Sequence, residues 1–403
     1  MSAAMWLSAA SYAAPINNGQ NTQEGAVGGD VTSETVLTLD QADDGVALAT
    51  AQGNSVTGDY YDETAFANQQ SMAADTRARA QANATNIYGG LNSSGVAQAN
   101  SASLIHEGAL DMTSDQTASG STVEAIALLR LDNGDPDAYT GDLTTVAQGT
   151  ANALETNGYG PQSVTARQSS SASVRAEARS DVNSVNSRTA SASAVSAGNS
   201  QSARTYGGEA HIGVDQTNSG AITSVSDVDH EGDAIWGATS SAQSVGNTAQ
   251  VLNDDGAIRI DGAQINTGGV SASASLSVYG HDEGLALGSS NAVGNTALAS
   301  ALGGSVYSGV TQTNSGDVSA TTLVNAGAGK GVVASATAMG NAQSAYICSA
   351  CVTANSGTIN QINSGAISAR TQVTTQGYNP YVTGSAIAVG NAATFSSRDP
   401  GGH

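Results

Sequence analysis

Cys348 and Cys351 stand as Cys-Ser-Ala-Cys and are the only cysteines in 403 residues. In a reducing compartment this spacing suits redox chemistry, and with a second pair it would suit zinc, but there is no second pair and no βαβ context. In an oxidising exterior the pair reads as a short Cys348–Cys351 disulfide that pins a loop. Carboxylates gather at Asp132, Asp135, Asp137 and Asp142, at Asp227, Asp229, Glu231 and Asp233, and at Asp254 and Asp255 beside Asn253. None of these runs matches an EF-hand loop or a calcium-binding nonapeptide, so solvated loops are expected, with no metal and no cofactor. His106, His211, His230, His281 and His403 share no ligand spacing. Trp236 near Asp233 is the best place for a carbohydrate-cleaving site. No triad or general-acid pair has a workable spacing, and the chain reads as a non-enzyme.

Charge narrows the partners. The chain has 12 basic and 34 acidic residues, a net charge of −22, and Lys330 is its only lysine. Phosphate recognition needs clustered Lys and Arg, which excludes nucleic acid as a partner. An acidic surface keeps an aggregation-prone β-array soluble. No later stretch approaches the roughly 18 to 20 apolar residues that a membrane-spanning helix needs. Met1 to Ala13 is small and apolar, with Ser11-Tyr-Ala13 in front of a plausible cleavage point, although no Lys or Arg precedes it. Residues 1–13 are read as a signal-peptide remnant and 14–403 as one repeat-built unit.

The elements that position these groups come from repetition. The Gly of a small-residue box recurs at Gly53, Gly149, Gly198, Gly246, Gly294, Gly340 and Gly390, with Ala99 in its place once, at intervals of 46 to 50 residues. The clearest copies place Asn247, Asn295, Asn341 and Asn391 directly after the Gly. A second box shares the period: Gln216-Thr-Asn218-Ser-Gly, Gln264-Ile-Asn266-Thr-Gly, Gln312-Thr-Asn314-Ser-Gly and Gln361-Ile-Asn363-Ser-Gly. Weaker copies begin at Gln69, Gln116 and Gln168, with a blurred one near Gln20. Fixed period and fixed phase are the signature of stacked units that bury their apolar faces only against neighbours.

Within each unit the apolar residues alternate. In Val270-Ser-Ala-Ser-Ala-Ser-Leu-Ser-Val278 they fall on one side of an extended chain and the serines on the other. Two Phe and two Trp in the whole chain are too few for a globular core, whereas a narrow coil can be filled by Ala, Val and Ile. The expected fold is therefore an all-β, right-handed parallel β-solenoid of about eight repeats of about 48 residues. Met72 to Ala84, rich in Ala and Arg, is ambiguous between helix and strand, and strand is favoured by phase. Two corners per repeat favour two turns per copy and a rod on the order of 70 to 80 Å. One large flattened turn per copy is the alternative and halves that length. Buried Asn and Gln at stacked positions form amide ladders. That gives Gln216, Gln264, Gln312 and Gln361, Asn218, Asn266, Asn314 and Asn363, and the Asn of each Gly box a structural role.

Gln243-Ser-Val-Gly-Asn247-Thr-Ala249 resembles the Gln, Gly, Asn and Ala pattern of curlin repeats, the subunits of bacterial surface amyloid. The two-box unit, the acidic Ala/Ser/Gly composition and the length look more like the D component of the holdfast-anchor proteins of stalked bacteria. That resemblance implies a secreted, outer-membrane-associated surface protein that ties an adhesive extracellular polysaccharide to the cell. It also implies partner anchor proteins and an outer-membrane export channel. The alternatives are a self-assembling, fibre-forming adhesin subunit and a β-helix polysaccharide-degrading enzyme.

Overall fold

The computed structural model describes residues 16–22, 29–119, 122–132, 139–183, 185–348 and 355–398. Among them there is no helix, and every strand pairs in parallel. Each repeat contributes three strands. The first coil holds β1 (Ile16–Thr22), β2 (Val31–Ala42) and β3 (Gly45–Tyr60), and the second β4 (Thr64–Met72), β5 (Thr76–Ile87) and β6 (Leu91–His106). The third holds β7 (Leu110–Ala118), β8 (Thr122–Asp132) and β9 (Tyr139–Gly158), and the fourth β10 (Gln162–Ser170), β11 (Ser173–Asn183) and β12 (Asn186–Thr205). The fifth holds β13 (Ala210–Asn218), β14 (Ile222–Asp233) and β15 (Gly237–Asn253), and the sixth β16 (Ile258–Asn266), β17 (Val270–His281) and β18 (Leu285–Ala301). In the seventh are β19 (Val306–Asn314), β20 (Val318–Gly329) and β21 (Val332–Cys348). The eighth has β22 (Asn355–Gly357), β23 (Asn360–Asn363), β24 (Ile367–Thr375) and β25 (Val382–Arg398).

Equivalent strands of successive coils hydrogen-bond into three parallel sheets. Sheet 1 runs from β1 to β22 and β23, sheet 2 from β2 to β24, and sheet 3 from β3 to β25. The chain is a β-solenoid with one coil per repeat, which corrects the expectation of two. Eight coils at the parallel-strand spacing stack to on the order of 35 to 40 Å. The two sequence boxes do not begin successive turns; the Gly box on sheet 3 faces the Gln box that follows it in the chain, on sheet 1. Asn247 of the Gly box donates to the carbonyl of Ile265, in the middle of the next Gln box. Met72 to Ala84, the ambiguous segment, is the end of β4 followed by β5, whose Ala78, Ala80, Ala82 and Ala84 all face the core.

Sheet 3 strands are long enough to face both other sheets. The first half of each packs on sheet 2 through ladders of small residues such as Ala190, Ala238 and Ala286, continued by Val332. Its second half packs on sheet 1, where Ala249, Val251, Ile212 and Ile260 meet. The inward parity switches at the Gly box, where Ser244, Val245, Gly246 and Asn247 are buried in succession. Small side chains let the layers approach closely, which is why so few bulky residues suffice.

Three histidines, His106, His230 and His281, are fully buried in the stack. His230 is 1% exposed between Val182 and Val278, and its Nε2 lies 2.8 Å from Ser187 Oγ. Burial holds its pKa down at about 4. His281 is also lowered by burial. A histidine kept neutral when folded contributes stability that is complete above its unfolded pKa of about 6.5 and is lost as pH falls toward the folded value. Thermal melts should therefore be level from pH 8 to 6.5 and then fall between pH 6.5 and 4, by on the order of 3 kcal/mol from His230. His230→Val should flatten that fall, and an unchanged slope in this variant would contradict the assignment.

Candidate functional site

Three columns of carboxamides run through the stack. In the first, Asn54, Asn100, Asn152, Asn199, Asn247, Asn295, Asn341 and Asn391 each pass one Nδ2–H to the Oδ1 of the next, at 2.7 to 2.8 Å. The other N–H of the same amide goes to a backbone carbonyl of sheet 1, as from Asn199 to Thr217 and Asn295 to Thr313. In the second column, Gln361, Gln312, Gln264, Gln216, Gln168, Gln116 and Gln70 each donate to the Oε1 of the one before, at 2.7 to 2.8 Å. Each also donates to a sheet 3 carbonyl, as Gln264 does to Thr296. The third column joins Asn218, Asn266, Asn314 and Asn363 at 2.7 to 2.8 Å, with the second N–H closing on the Gly carbonyl two residues on.

Both asparagine columns donate toward the C-terminal end, and the glutamine column donates toward the N-terminal end. The amide dipoles therefore partly cancel, although all three columns lie in one dry interior. Gln216, Asn218, Asn247, Gln264, Asn266, Asn295, Gln312, Asn314 and Asn341 are all 0% exposed, so each of these bonds replaces water that cannot reach the group.

The boxed glycines are explained by space, since none of Gly198, Gly246, Gly294 or Gly340 has a positive φ. A Cβ on Gly246 would lie 2.5 Å from the Gly294 carbonyl and 2.6 Å from Asn266 Oδ1. The register also corrects two members of the repeat. The position equivalent to Gly198 in the third coil is Ala151, ahead of Asn152, so Gly149 lies two residues off the column. In the second coil the column residue is Gln70, with Gln69 paired instead to Asp115. Ala fills the glycine slot at 99 and 151, where the facing sheet 1 positions carry the small Ala118 and Ser170; Gly fills it where they carry Met72, Asn218, Asn266, Asn314 or Asn363.

The acidic groups fall into separate settings. Asp142 is gripped by Arg188 and Thr189, and the Arg188 hydrogen bond holds its carboxyl down at about 2. Asp254 pairs with Arg204 at 3.1 Å, while Asn253 closes its own turn onto Asp255 N. Asp229, Glu231 and Asp233 line an open groove of about 770 Å³ with Asp282, and burial raises Asp229 and Asp233. Asp135 and Asp137 lie outside the described residues. Among the described residues no group of three or more His, Cys, Asp or Glu is placed to hold a metal. Trp236 is 65% exposed at a corner and does not pack in the core. His106, His211, His230 and His281 occupy separate sites, and His403 lies outside the described residues. Cys348 ends β21 half-buried, and Cys351 also lies outside the described residues.

The chain is a repeat-built parallel β-solenoid, and no helix among the described residues is long and apolar enough to cross a membrane. The sequence matches the family of holdfast attachment protein D over residues 39–317 and 310–401, and the chain belongs to that family. Comparison with curated proteins and with solved structures finds no match in either. Family and fold together are consistent with a surface, structural role.

The glycine contacts make a direct test. Gly246→Ala should destabilise the protein by about 1 to 3 kcal/mol in thermal or denaturant unfolding, as overpacking does. Asn266→Ala should cost a similar amount by stranding its ladder partners. The double variant should cost clearly less than the two added, because the facing pair then resembles the Ala99 and Ala118 levels. Strict additivity would contradict the size match.

Proposed function

We propose that this chain is one component of a multi-protein anchor that holds an adhesive extracellular polysaccharide to the outer membrane of a bacterium. The observation that carries this reading is the match to the holdfast attachment family over most of a chain that is one continuous stack. A stack of equivalent coils repeats the same outward side chains at a constant spacing, and weak sites in series give avidity without a deep pocket. Partner anchor proteins and an export channel in the outer membrane belong to the same proposal, as does removal of residues 1–13. Cells lacking the gene should still make adhesive but shed it into the medium. Unchanged attachment would overturn the anchor reading, and a change in polysaccharide chain length would favour an enzyme.

The fibre-forming reading is supported by the ladders, which extend to the outermost described coil at Gln361, Asn363 and Asn391. Purified chain at micromolar concentration separates the two readings: the anchor stays as soluble rods, and the fibre subunit gives thioflavin-positive filaments. The Cys348–Cys351 disulfide is part of the proposal for an exported protein. Mass spectrometry of surface protein should find the two oxidised to each other, and Cys→Ser should leave surface display intact, since so short a loop removes little chain entropy. A mixed disulfide with another protein would count against it.

A further inference from the structure

The first and last coils leave sheet 3 in different states. Followed through the register, Ala49, Ala51 and Asn54 of β3 correspond to Ala386, Ala388 and Asn391 of β25. In the first coil this row is closed in: Ala49 and Ala51 are 2% exposed and Asn54 is 5% exposed. Leu37 and Leu39 of β2 lie against the start of the same strand, at Gly45. In the eighth coil Ala386, Ala388 and Asn391 are all exposed. Val382, which stacks on the fully buried Val332, is 49% exposed. Strands β24 and β25 each pair on one side only. The residues they turn inward, among them Ile367, Ala369 and Val373, carry no charge that would blunt an open edge.

The carboxamide columns reach this face with their direction already set. Asn391 accepts from Asn341 and spends one N–H on the Gln361 carbonyl at 3.3 Å; the other is the N–H that every earlier member passes to the next coil. Asn363 closes one N–H on the Gly365 carbonyl and keeps the one that Asn314 sends onward. Gln361 spends both N–H groups, on Gln312 and on the Ala392 carbonyl, and keeps the Oε1 that elsewhere accepts from the next Gln. The face therefore offers two amide donors and one amide acceptor on an apolar floor, bordered by open strand edges. A parallel β-coil that brings an amide oxygen to each asparagine column and an amide N–H to the glutamine column satisfies all three and pairs with the edges, as strand addition does. A coil carrying a Gly-Asn box and a Gln-x-Asn box has those groups. A second copy of this chain does not fit: its first coil holds the matching row of β3 already covered, and its own eighth coil would set N–H against N–H in both asparagine columns.

We propose that the open face of the eighth coil docks the terminal coil of a different protein, one that carries the same Gly-Asn and Gln-x-Asn boxes. This rests on the anchor reading and names the chemistry of its protein partner. The test places a photo-crosslinking amino acid at Val382 of the full chain in cells that lack the native copy, and sequences the linked peptide by mass spectrometry. The peptide should come from another protein and contain one of the two boxes. A peptide of this same chain, a peptide with neither box, or no crosslink would overturn the proposal. Ala386→Glu with Ala388→Glu puts charge on the docking face and should lower the crosslink yield at least tenfold. Ser385→Glu with Ile387→Glu puts the same charge on the outward side of the same strand and should stay within twofold. Asn391→Asp still accepts from Asn341 but has no N–H to pass on, and should lower the yield at least threefold in a chain whose coils are otherwise unchanged. Surface display of each variant is measured alongside, and Asn391→Asp decides if the double Glu variant is not displayed. Equal yields from all variants would also overturn the docking face. If cells lacking the gene shed their adhesive and no crosslink forms, the anchor reading survives and the docking face does not.

Discussion

A buried carboxamide has two N–H groups to satisfy, and this chain sends them in different directions. One closes onto a backbone carbonyl of the facing sheet in the same coil, and the other reaches the amide of the neighbouring coil. The first bond sets how the sheet 1 strand lies against sheet 3, and the second fixes the register between coils. A slip of one residue would break both and leave buried donors unpaired, at about 1 to 3 kcal/mol for each. Parallel strands lined with Ala and Ser are otherwise poorly specified in register, because one small residue packs much like another. The ladders supply the specificity that the small core cannot.

Space is the second constraint and follows from the first. The asparagine column of sheet 1 runs against the Gly box of sheet 3, and a Cβ there would touch both the ladder and the next backbone. Glycine is thus tied to the size of the residue opposite it and not to a turn conformation. The alanines at 99 and 151 are the informative exceptions, since they sit where that column has not yet become asparagine. With the interior closed by these contacts, function is left to the outer faces.

The period, the alternation of small apolar and polar residues and the parallel all-β stack could be read from the sequence, because each strand copies its neighbour and local pattern agrees with global fold. The number of coils per repeat could not. Two boxes in one period look like two corners, and only the bond from Asn247 to Ile265 shows that they meet across one coil. Gly149 and Gln69 are misaligned in the sequence because a box of small or repeated residues tolerates a shift of one or two positions that an amide ladder does not. Of the acidic residues that stood out in sequence, Asp142 and Asp254 are held by Arg188 and Arg204, while Asp229, Glu231 and Asp233 line an open groove.

One coil per repeat, locked by amide ladders, is the claim on which the rest depends, and removing repeats tests it. Deleting Thr248 to Asn295 joins Asn247 to Thr296, so that Thr296 takes the place of its register partner Thr248, and removes one whole coil. The shortened chain should keep its β-rich circular dichroism and a cooperative melt, with an unfolding enthalpy reduced by about one-eighth, as expected for a quasi-one-dimensional stack. Deleting only Thr248 to Ser271, half a repeat, should abolish the cooperative melt. A half-repeat deletion that folds as well as the whole-repeat deletion would mean two coils per repeat and would contradict the account.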